Sequence, residues 1–127
     1  MADIKKIGGK GEALAVEFLK QHNYRVIERN FRCKSGEIDI IAQDKDSFCF
    51  IEVKTRSTGQ FGSGFDAITS SKQRKLVKAA LWYCAMHDRA HVPMRFDIVA
   101  VQYSSSGSPC LELLKDAFDV SNHALNS

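Results

Sequence analysis

The sequence lacks the features that mark membrane, secreted and disordered proteins. No apolar run approaches the roughly 20 residues that a membrane-spanning helix needs. Residues 1–10 are polar and basic and contain no apolar segment of the kind found in signal peptides. Hydrophobic residues make up 44% and charged residues 26% of the chain, as is ordinary for a folded domain. We therefore expect a soluble, cytoplasmic protein with no membrane partner.

A disulfide framework is not indicated either. The chain has four cysteines, none of them in a CxxC pair, and each lies in or beside an apolar run. We interpret them as small buried hydrophobic residues in a reducing compartment; they are Cys33, Cys49, Cys84 and Cys110. Zinc bound by Cys84, His87 and His91 would make the protein a zinc-stapled interaction domain, but no fourth ligand has suitable spacing.

Charge and length set further limits. The formal net charge is only +3, a mild excess that does not by itself indicate a nucleic-acid partner, so the placement of the basic residues matters more. The 127 residues fit one domain, and no internal repeat is visible. We expect a single domain over residues 1–127, with its core at about residues 8–116 and flexible termini.

Hydrophobic periodicity predicts two helices and at least four strands. Helical spacing of apolar residues predicts helices over residues 11–22 and about 71–87. Runs rich in large and β-branched residues predict strands at 24–33, 37–42, 48–55 and 95–103, and a last strand at 110–114 would fit the pattern. The order αβββαβ, with or without that last strand, predicts an α/β domain in which helices flank a central mixed β-sheet.

Acidic residues interrupt the apolar pattern on two neighbouring strands. Side chains alternate across a strand with period two. On the third strand this predicts one face made of Phe48, Phe50, Glu52 and Lys54. On the second strand it predicts one face made of Glu37, Asp39 and Ile41, opposite a face made of Ile38, Ile40 and Ala42.

Carboxylates in such apolar surroundings need compensation. An unpaired buried carboxylate is costly, and its pKa rises until the group is neutral. Lys54 can offset one negative charge, and a divalent cation can offset the rest, because Mg²⁺ prefers carboxylate oxygens. Spacing alone leaves an ordinary interpretation open, in which Glu52 and Lys54 form a surface ion pair and Asp39 points into solvent.

Two segments resemble a known nuclease motif. Gly36-Glu37-Ile38-Asp39-Ile40-Ile41 followed by Phe50-Ile51-Glu52-Val53-Lys54-Thr55-Arg56 resembles the PD-(D/E)xK motif of restriction-endonuclease-like nucleases, with Ile38 in place of the proline. More broadly, roughly residues 8 to 103 resemble the YraN family of small bacterial proteins. That resemblance also rests on Gly8-x-x-Gly11-Glu12, Glu28-Arg29-Asn30-Phe31-Arg32, Lys72-Gln73-Arg74-Lys75-Leu76 and Arg95-Phe96-Asp97-Ile98-Val99-Ala100-Val101.

The resemblance implies a set of catalytic residues. Asp39 and Glu52 would hold Mg²⁺ or Mn²⁺, which would polarise the scissile phosphate and activate a water molecule. Lys54 would orient or deprotonate that water, or neutralise charge on the phosphate. By similarity to archaeal Holliday-junction resolvases, Glu12 would complete the site from the first helix. The alternative for Glu12 is a first-turn acid that favours the helix dipole.

The resemblance also implies a function and a partner. It predicts a metal-dependent endonuclease that hydrolyses DNA phosphodiester bonds. Resolvase-like action on branched DNA would need two active sites and hence a homodimer. The alternative is a nucleic-acid-binding protein that keeps the nuclease fold without turnover.

Polar residues near the motif are candidates for nucleic-acid contact. Arg56 follows the motif strand, and Lys72 and Lys75 lie on the first turns of the second helix; phosphate contact and plain solvation are both open interpretations. Gln73 either lies near the site or closes a capping box with Ser70.

Two further features have two interpretations each. The glycine-containing segment 56–65 is either a mobile substrate flap or a plain loop. Asp97 either forms a structural ion pair with Arg95 or supports the site from behind.

Overall fold

The computed structural model describes residues 4–56, 68–89 and 91–119, with side chains from Gly9 onward. These ranges contain helices α1 (Ile4–Gln21) and α2 (Ser70–Met86). The strands are β1 (Arg25–Cys33), β2 (Gly36–Asp44), β3 (Ser47–Arg56), β4 (Met94–Tyr103) and β5 (Pro109–Leu114). Neither of the described helices is both long enough and apolar enough to cross a membrane.

The five strands form one sheet in chain order, from β1 at one edge to β5 at the other. β1, β2 and β3 form an antiparallel meander, β4 runs parallel to β3, and β5 pairs antiparallel with β4. The parallel pairing requires a crossover, and α2 supplies it between β3 and β4. The predicted element order and the mixed sheet are therefore confirmed, including the last strand.

The helices cover opposite faces of the sheet, and each face carries its own apolar cluster. The α1 side includes Ile40, Ile51 and Val99. The α2 side includes Phe50 and Phe96. β3 therefore contributes to both clusters, as its apolar residues on both faces predicted.

Three expectations about the chain need correction or completion. α1 begins at Ile4 rather than at residue 11. Cys110 is exposed and Cys33 is half-buried, so the prediction of buried thiols holds only for Cys49 and Cys84. Of the segment 56–65, only Arg56 belongs to the described residues, and the predicted flap or loop lies outside them.

The alternation of side chains fails in the middle of β1 and β2. Ile38 packs in the α2-side cluster together with Ile41, whereas Ile40 packs on the α1 side. Asn30 of β1 lies between the residues that pair with Ile40 and Ile38, and its φ is +56°. This left-handed conformation, which asparagine tolerates, interrupts the regular pleat. The predicted grouping of Ile38 with Ile40 is therefore wrong, and the interruption falls opposite Asp39.

Candidate active site

The candidate site lies where β2 separates from β3. β2 pairs with β3 only from Ile40 to Asp44. Its first residues, from Gly36 to Ile38, pair with β1 and not with β3. Asp39 is the first residue beyond that ladder, and its Oδ2 accepts a hydrogen bond from the backbone N–H of Val53 at 2.8 Å. The carboxyl group thus replaces a main-chain acceptor and is fixed beside the C-terminal half of β3.

Asp39 and Glu52 form a carboxylate pair. The Asp39 side chain hydrogen-bonds the carboxyl group of Glu52, whose side chain is only 10% exposed. Desolvation raises the pKa of Asp39 to about 8; the charge of Glu52 adds to the rise, and the Val53 N–H opposes it. With a pKa of about 8, the Asp39 carboxyl is mainly protonated at neutral pH and hydrogen-bonds Glu52 in that form. The pair therefore holds a proton that a bound cation would replace.

Glu52 also has a cationic partner. The ammonium group of Lys72 lies 2.7 Å from Glu52 Oε2, and this hydrogen bond raises the pKa of Lys72. The contact joins the first turn of α2 to β3, so no local spacing in the sequence could have predicted it. Lys72, predicted only as a nucleic-acid contact, is therefore a member of the carboxylate site.

The start of α2 fixes the position of Lys72. Thr69 caps the helix, and its side-chain oxygen accepts the backbone N–H of Lys72 at 3.1 Å. Gln73 Nε2 donates to the carbonyl of Ile68 at 2.8 Å. The cap is Thr69 and not Ser70, so the predicted capping box was wrong in register. Gln73 does bond the backbone at the helix start, but as a donor to a carbonyl and not as the acceptor of a cap N–H, so this bond does not make a capping box.

A shallow cavity adjoins the carboxylate pair. Its volume is about 190 Å³, and it is lined by Glu52, Lys54, Ile68, Thr69 and Lys72. Lys54 and Glu52 line it together because alternate residues of β3 share a face. The cavity brings one carboxylate and two ammonium groups onto a concave surface, which suits a phosphate group next to a metal ligand.

Glu12 approaches the pair from α1. A Cβ at the preceding residue, Gly11, would clash with Thr55 Oγ1, so α1 crosses β3 at very close range there. Burial raises the pKa of Glu12, and Arg29, whose Nη2 lies 3.8 Å from Glu12 Oε1, lowers it. Glu12 in turn raises the pKa of Asp39. The structure thus places Glu12 within electrostatic range of the pair, with Arg29 as its ionic partner.

Asn30 belongs to this region, although the sequence alone assigned it no role beyond its place in a motif of the resemblance. Its side chain hydrogen-bonds Glu12 and lowers the pKa of that carboxyl. Its left-handed backbone also interrupts β1 opposite Asp39. The sequence did contain one indication of an irregularity here, because asparagine is depleted in strands and Asn30 lies inside a predicted strand.

The remaining predicted nucleic-acid contacts lie around the same region. Arg56 is the last residue of β3. Lys75 is exposed on α2, and its Cβ and carbonyl oxygen lie beside Gly36 at the start of β2. With Lys72 they bring cations to the region where β2 begins and β3 ends, and their contact with nucleic acid stays a prediction.

Asp97 belongs to a different network. It is 1% exposed, and it accepts hydrogen bonds from Arg95 Nε and Nη2, each at 2.9 Å, from the Tyr24 hydroxyl at 2.8 Å and from the Asp116 N–H at 2.9 Å. Arg95 also contacts Asp44 at 2.9 Å. Both oxygens of Asp97 are therefore engaged around the N-terminal end of β3, which favours the structural ion pair over support of the site.

Within the described residues, no group of three or more His, Cys, Asp or Glu side chains is placed to hold one metal ion. Neither Cys84, His87 and His91 nor the acids of the site form such a group. Asp39 and Glu52 offer two carboxyl groups. Mg²⁺ commonly binds through one or two carboxylates and retains several water molecules, so the pair suffices for that ion.

Fold and site together define a small α/β domain with a carboxylate pair at the separation of two strands. A family model described as "Uncharacterised protein family UPF0102" matches residues 11–101, which include every residue of the candidate site. The chain belongs to this UPF0102 family, and the YraN-like resemblance is thereby confirmed.

Relatives from several bacteria match nearly the whole chain. A "UPF0102 protein" of Geotalea daltonii is 47% identical over 93% of this chain and 93% of its own length. Those of Geobacter metallireducens and Clostridium botulinum are 44% and 45% identical; each match covers 91% of this chain, and 94% and 96% of the respective relative.

Proposed function

We propose that the protein is a metal-dependent endonuclease with a restriction-endonuclease-like fold that hydrolyses DNA phosphodiester bonds. The observation that supports this most is the contact between Asp39 and Glu52 where β2 and β3 separate. Lys54 lines the adjoining cavity with Glu52. An acid on one strand followed by Glu-x-Lys on the next is the order of the PD-(D/E)xK motif that the sequence resembles.

The carboxylate pair fits a hard divalent cation such as Mg²⁺ or Mn²⁺. Both residues offer oxygen ligands, and the proton held between them marks a place where positive charge is favourable. A bound cation would supply two effects, polarisation of the scissile phosphate and a lowered pKa of the attacking water.

The lysines of the cavity would handle the substrate. Lys72 lies 2.7 Å from Glu52 Oε2 and would compete with a cation for that oxygen, so cation binding there would release the ammonium group. Once released, Lys72 can contact a phosphate from the same cavity wall. Lys54 orients the attacking water or neutralises charge on the phosphate. Glu12 raises the pKa of Asp39 and so affects how readily the pair loses its proton.

A cleavage assay tests the proposal. Linear, nicked and branched DNAs are incubated with the protein in Mg²⁺, Mn²⁺ or EDTA. We expect metal-dependent cleavage that Glu52→Gln lowers by about 10²–10³-fold, since a ligand to the charge-stabilising cation is lost. Glu17→Gln is the matched control, because Glu17 is 68% exposed on α1, and it should cut as wild type does. The nuclease proposal fails if wild type cuts no better than the double variant Asp39→Ala, Glu52→Ala.

A nucleic-acid-binding protein without turnover is the second candidate. The Lys72–Glu52 contact supports it, because it neutralises one carboxylate of the pair without a metal. Fluorescence anisotropy with labelled DNA distinguishes the two. Salt-sensitive binding that is weakened by Lys72→Ala and Lys75→Ala but kept by Glu52→Gln, without cleavage, would favour this candidate.

Resolvase-like action on branched DNA requires two active sites and hence a homodimer. Sedimentation of the protein with and without a four-way DNA junction tests this part of the proposal. A complex of two protein chains on one junction supports it, and a strictly monomeric complex contradicts it.

A further inference from the structure

A second cavity lies on the α2 side of the sheet, at the other end of β3 from the carboxylate pair. Its volume is about 490 Å³, within the roughly 300–1,000 Å³ range of small-molecule sites. Residues from the start of β1, the β2–β3 turn and the C-terminal end of α2 line it. It shares no lining residue with the cavity at Lys54 and Lys72, so the two are separate.

The apolar part of this second cavity is an aromatic floor, formed by Phe48, Tyr83, His87 and Ile27. Phe48 and Tyr83 are buried, with ring centroids 6.4 Å apart. The rings of Tyr83 and His87 lie 4.2 Å apart at an interplanar angle of 36°. Phe48 and Tyr83 are only 6% and 3% exposed, so the accessible part of the floor is the exposed side chains of His87 and Ile27 above them. A planar ring system would pack well on such a surface.

The rim of the cavity carries an arginine pair, Arg25 and Arg89. Both are exposed, and neither forms an ion pair with any residue that the structure describes. A guanidinium group presents its N–H donors in a planar fork that matches phosphate oxygens. Asp46 and Gln43 add a carboxylate and an amide to the same cavity. The rim therefore combines a net positive charge with acceptors for N–H donors.

We propose that this second cavity binds a nucleotide, either free or as the terminal unit of a nucleic-acid chain. The base packs on the aromatic floor, the phosphate contacts the arginine pair, and Asp46 accepts hydrogen bonds from imino and amino groups on the edge of the base. An alkyl carboxylate would bring an anion into the cavity but no hydrogen-bond donor for Asp46. A nucleotide satisfies the floor, the arginine pair and Asp46 together.

Isothermal titration calorimetry of the full chain tests this proposal. Guanosine 5′-monophosphate is the probe, because adjacent imino and amino groups of its base suit Asp46. We expect it to bind more tightly than either guanosine or inorganic phosphate. Arg25→Gln and Arg89→Gln should each weaken binding by about tenfold, the usual effect of losing a charge-assisted hydrogen bond. Arg74→Gln, at an exposed residue of α2 outside the cavity, should bind as wild type does.

The outcomes are distinct. Absence of binding, equal binding of inorganic phosphate, or unchanged binding in both cavity variants would overturn the proposal; circular dichroism verifies that each variant is folded. A 5′-phosphorylated trinucleotide distinguishes the two ligands. If it binds more tightly than the mononucleotide, the cavity binds the end of a nucleic-acid chain; if it binds more weakly, the cavity binds a free nucleotide. The double variant Asp39→Ala, Glu52→Ala should bind the mononucleotide normally, so this proposal can stand or fall independently of the nuclease proposal.

Discussion

Acids lie in protected positions toward both ends of β3, and their surroundings differ. Asp97, on β4 beside β3, accepts hydrogen bonds from Arg95, Tyr24 and a backbone N–H. A buried carboxylate with this many donors is compensated within the fold. It connects β4 to the chain before β1 and to the segment after β5, which is a structural role.

At the other end of β3, the acids are placed against each other. Asp39 contacts Glu52, and desolvation together with the charge of Glu52 raises the pKa of Asp39. Contact between two carboxyl groups opposes folding once both are ionised, so packing alone does not account for it. The comparison teaches that the match of donors to acceptors, rather than burial, separates a structural acid from a candidate metal ligand.

Replacement of Asp39 by its amide should have the largest effect on activity and little cost in stability. Asp39→Asn removes the charge that repels Glu52, so we expect a melting temperature at or above that of wild type at alkaline pH. Cleavage of DNA should fall by about 10²–10³-fold, because a proposed metal ligand is lost. Thermal denaturation and the cleavage assay on one preparation measure both. A variant that is less stable than wild type at alkaline pH would contradict the comparison.

The same substitution at Asp97 should have the opposite effect. Asp97→Asn removes the charge partner of a partly buried Arg95, so the free energy of unfolding should fall by about 3 kcal/mol. Urea denaturation measures the loss. Cleavage per folded molecule should stay close to wild type. If Asp97→Asn instead abolishes cleavage while the protein stays folded, Asp97 belongs to the site and is not a purely structural acid.

Gly11→Ala tests the close crossing that brings Glu12 toward the pair. Its Cβ would clash with Thr55 Oγ1, so we expect a loss of about 1–3 kcal/mol in unfolding free energy. Gly9→Ala is the matched control, because nothing lies within 4 Å of its added Cβ, and a helical alanine should be neutral or stabilising. The double variant Gly11→Ala, Thr55→Ala should recover part of the loss. Equal effects at the two glycines would argue against the crossing.

A last test is the pH dependence of stability. The pKa of Asp39 rises from 3.8 to about 8 on folding, so between these values the folded state holds a proton that the unfolded state releases. The stability that this bound proton contributes is complete below pH 3.8 and is lost as the pH rises to about 8. In urea denaturation with EDTA, the unfolding free energy of Asp39→Asn should change less with pH over this range than that of wild type. A steeper dependence in the variant would contradict the bound proton.

Much of the fold followed from local patterns. Periods of 3.6 and 2 residues are set by the backbone, so apolar spacing predicted both helices and all five strands to within a few residues, except the start of α1. The same alternation placed Glu52 and Lys54 on one face of β3, and both line the cavity. It failed at Ile38, because the left-handed Asn30 interrupts the pleat and no alternation rule contains such an interruption.

The contacts that make the candidate site were not predictable in this way. Lys72 meets Glu52 because the cap at Thr69 starts α2 beside the end of β3. The direction and position of a helix across a sheet depend on packing over the whole face, which is a sum of many small terms. A sequence pattern reports spacing along one element and carries no distance between two elements.

The sequence by itself determined the elements, the mixed α/β class and the acid–acid–lysine set, because each depends on spacing along the chain, and its resemblance to a known family indicated the family. Only the tertiary structure decided that Asp39 touches Glu52, that Lys72 neutralises Glu52, and that Asp97 lies in a separate network. The physical reason is that pKa shifts and ion pairs depend on distances of a few ångströms and on desolvation, and both arise only when separate elements pack together.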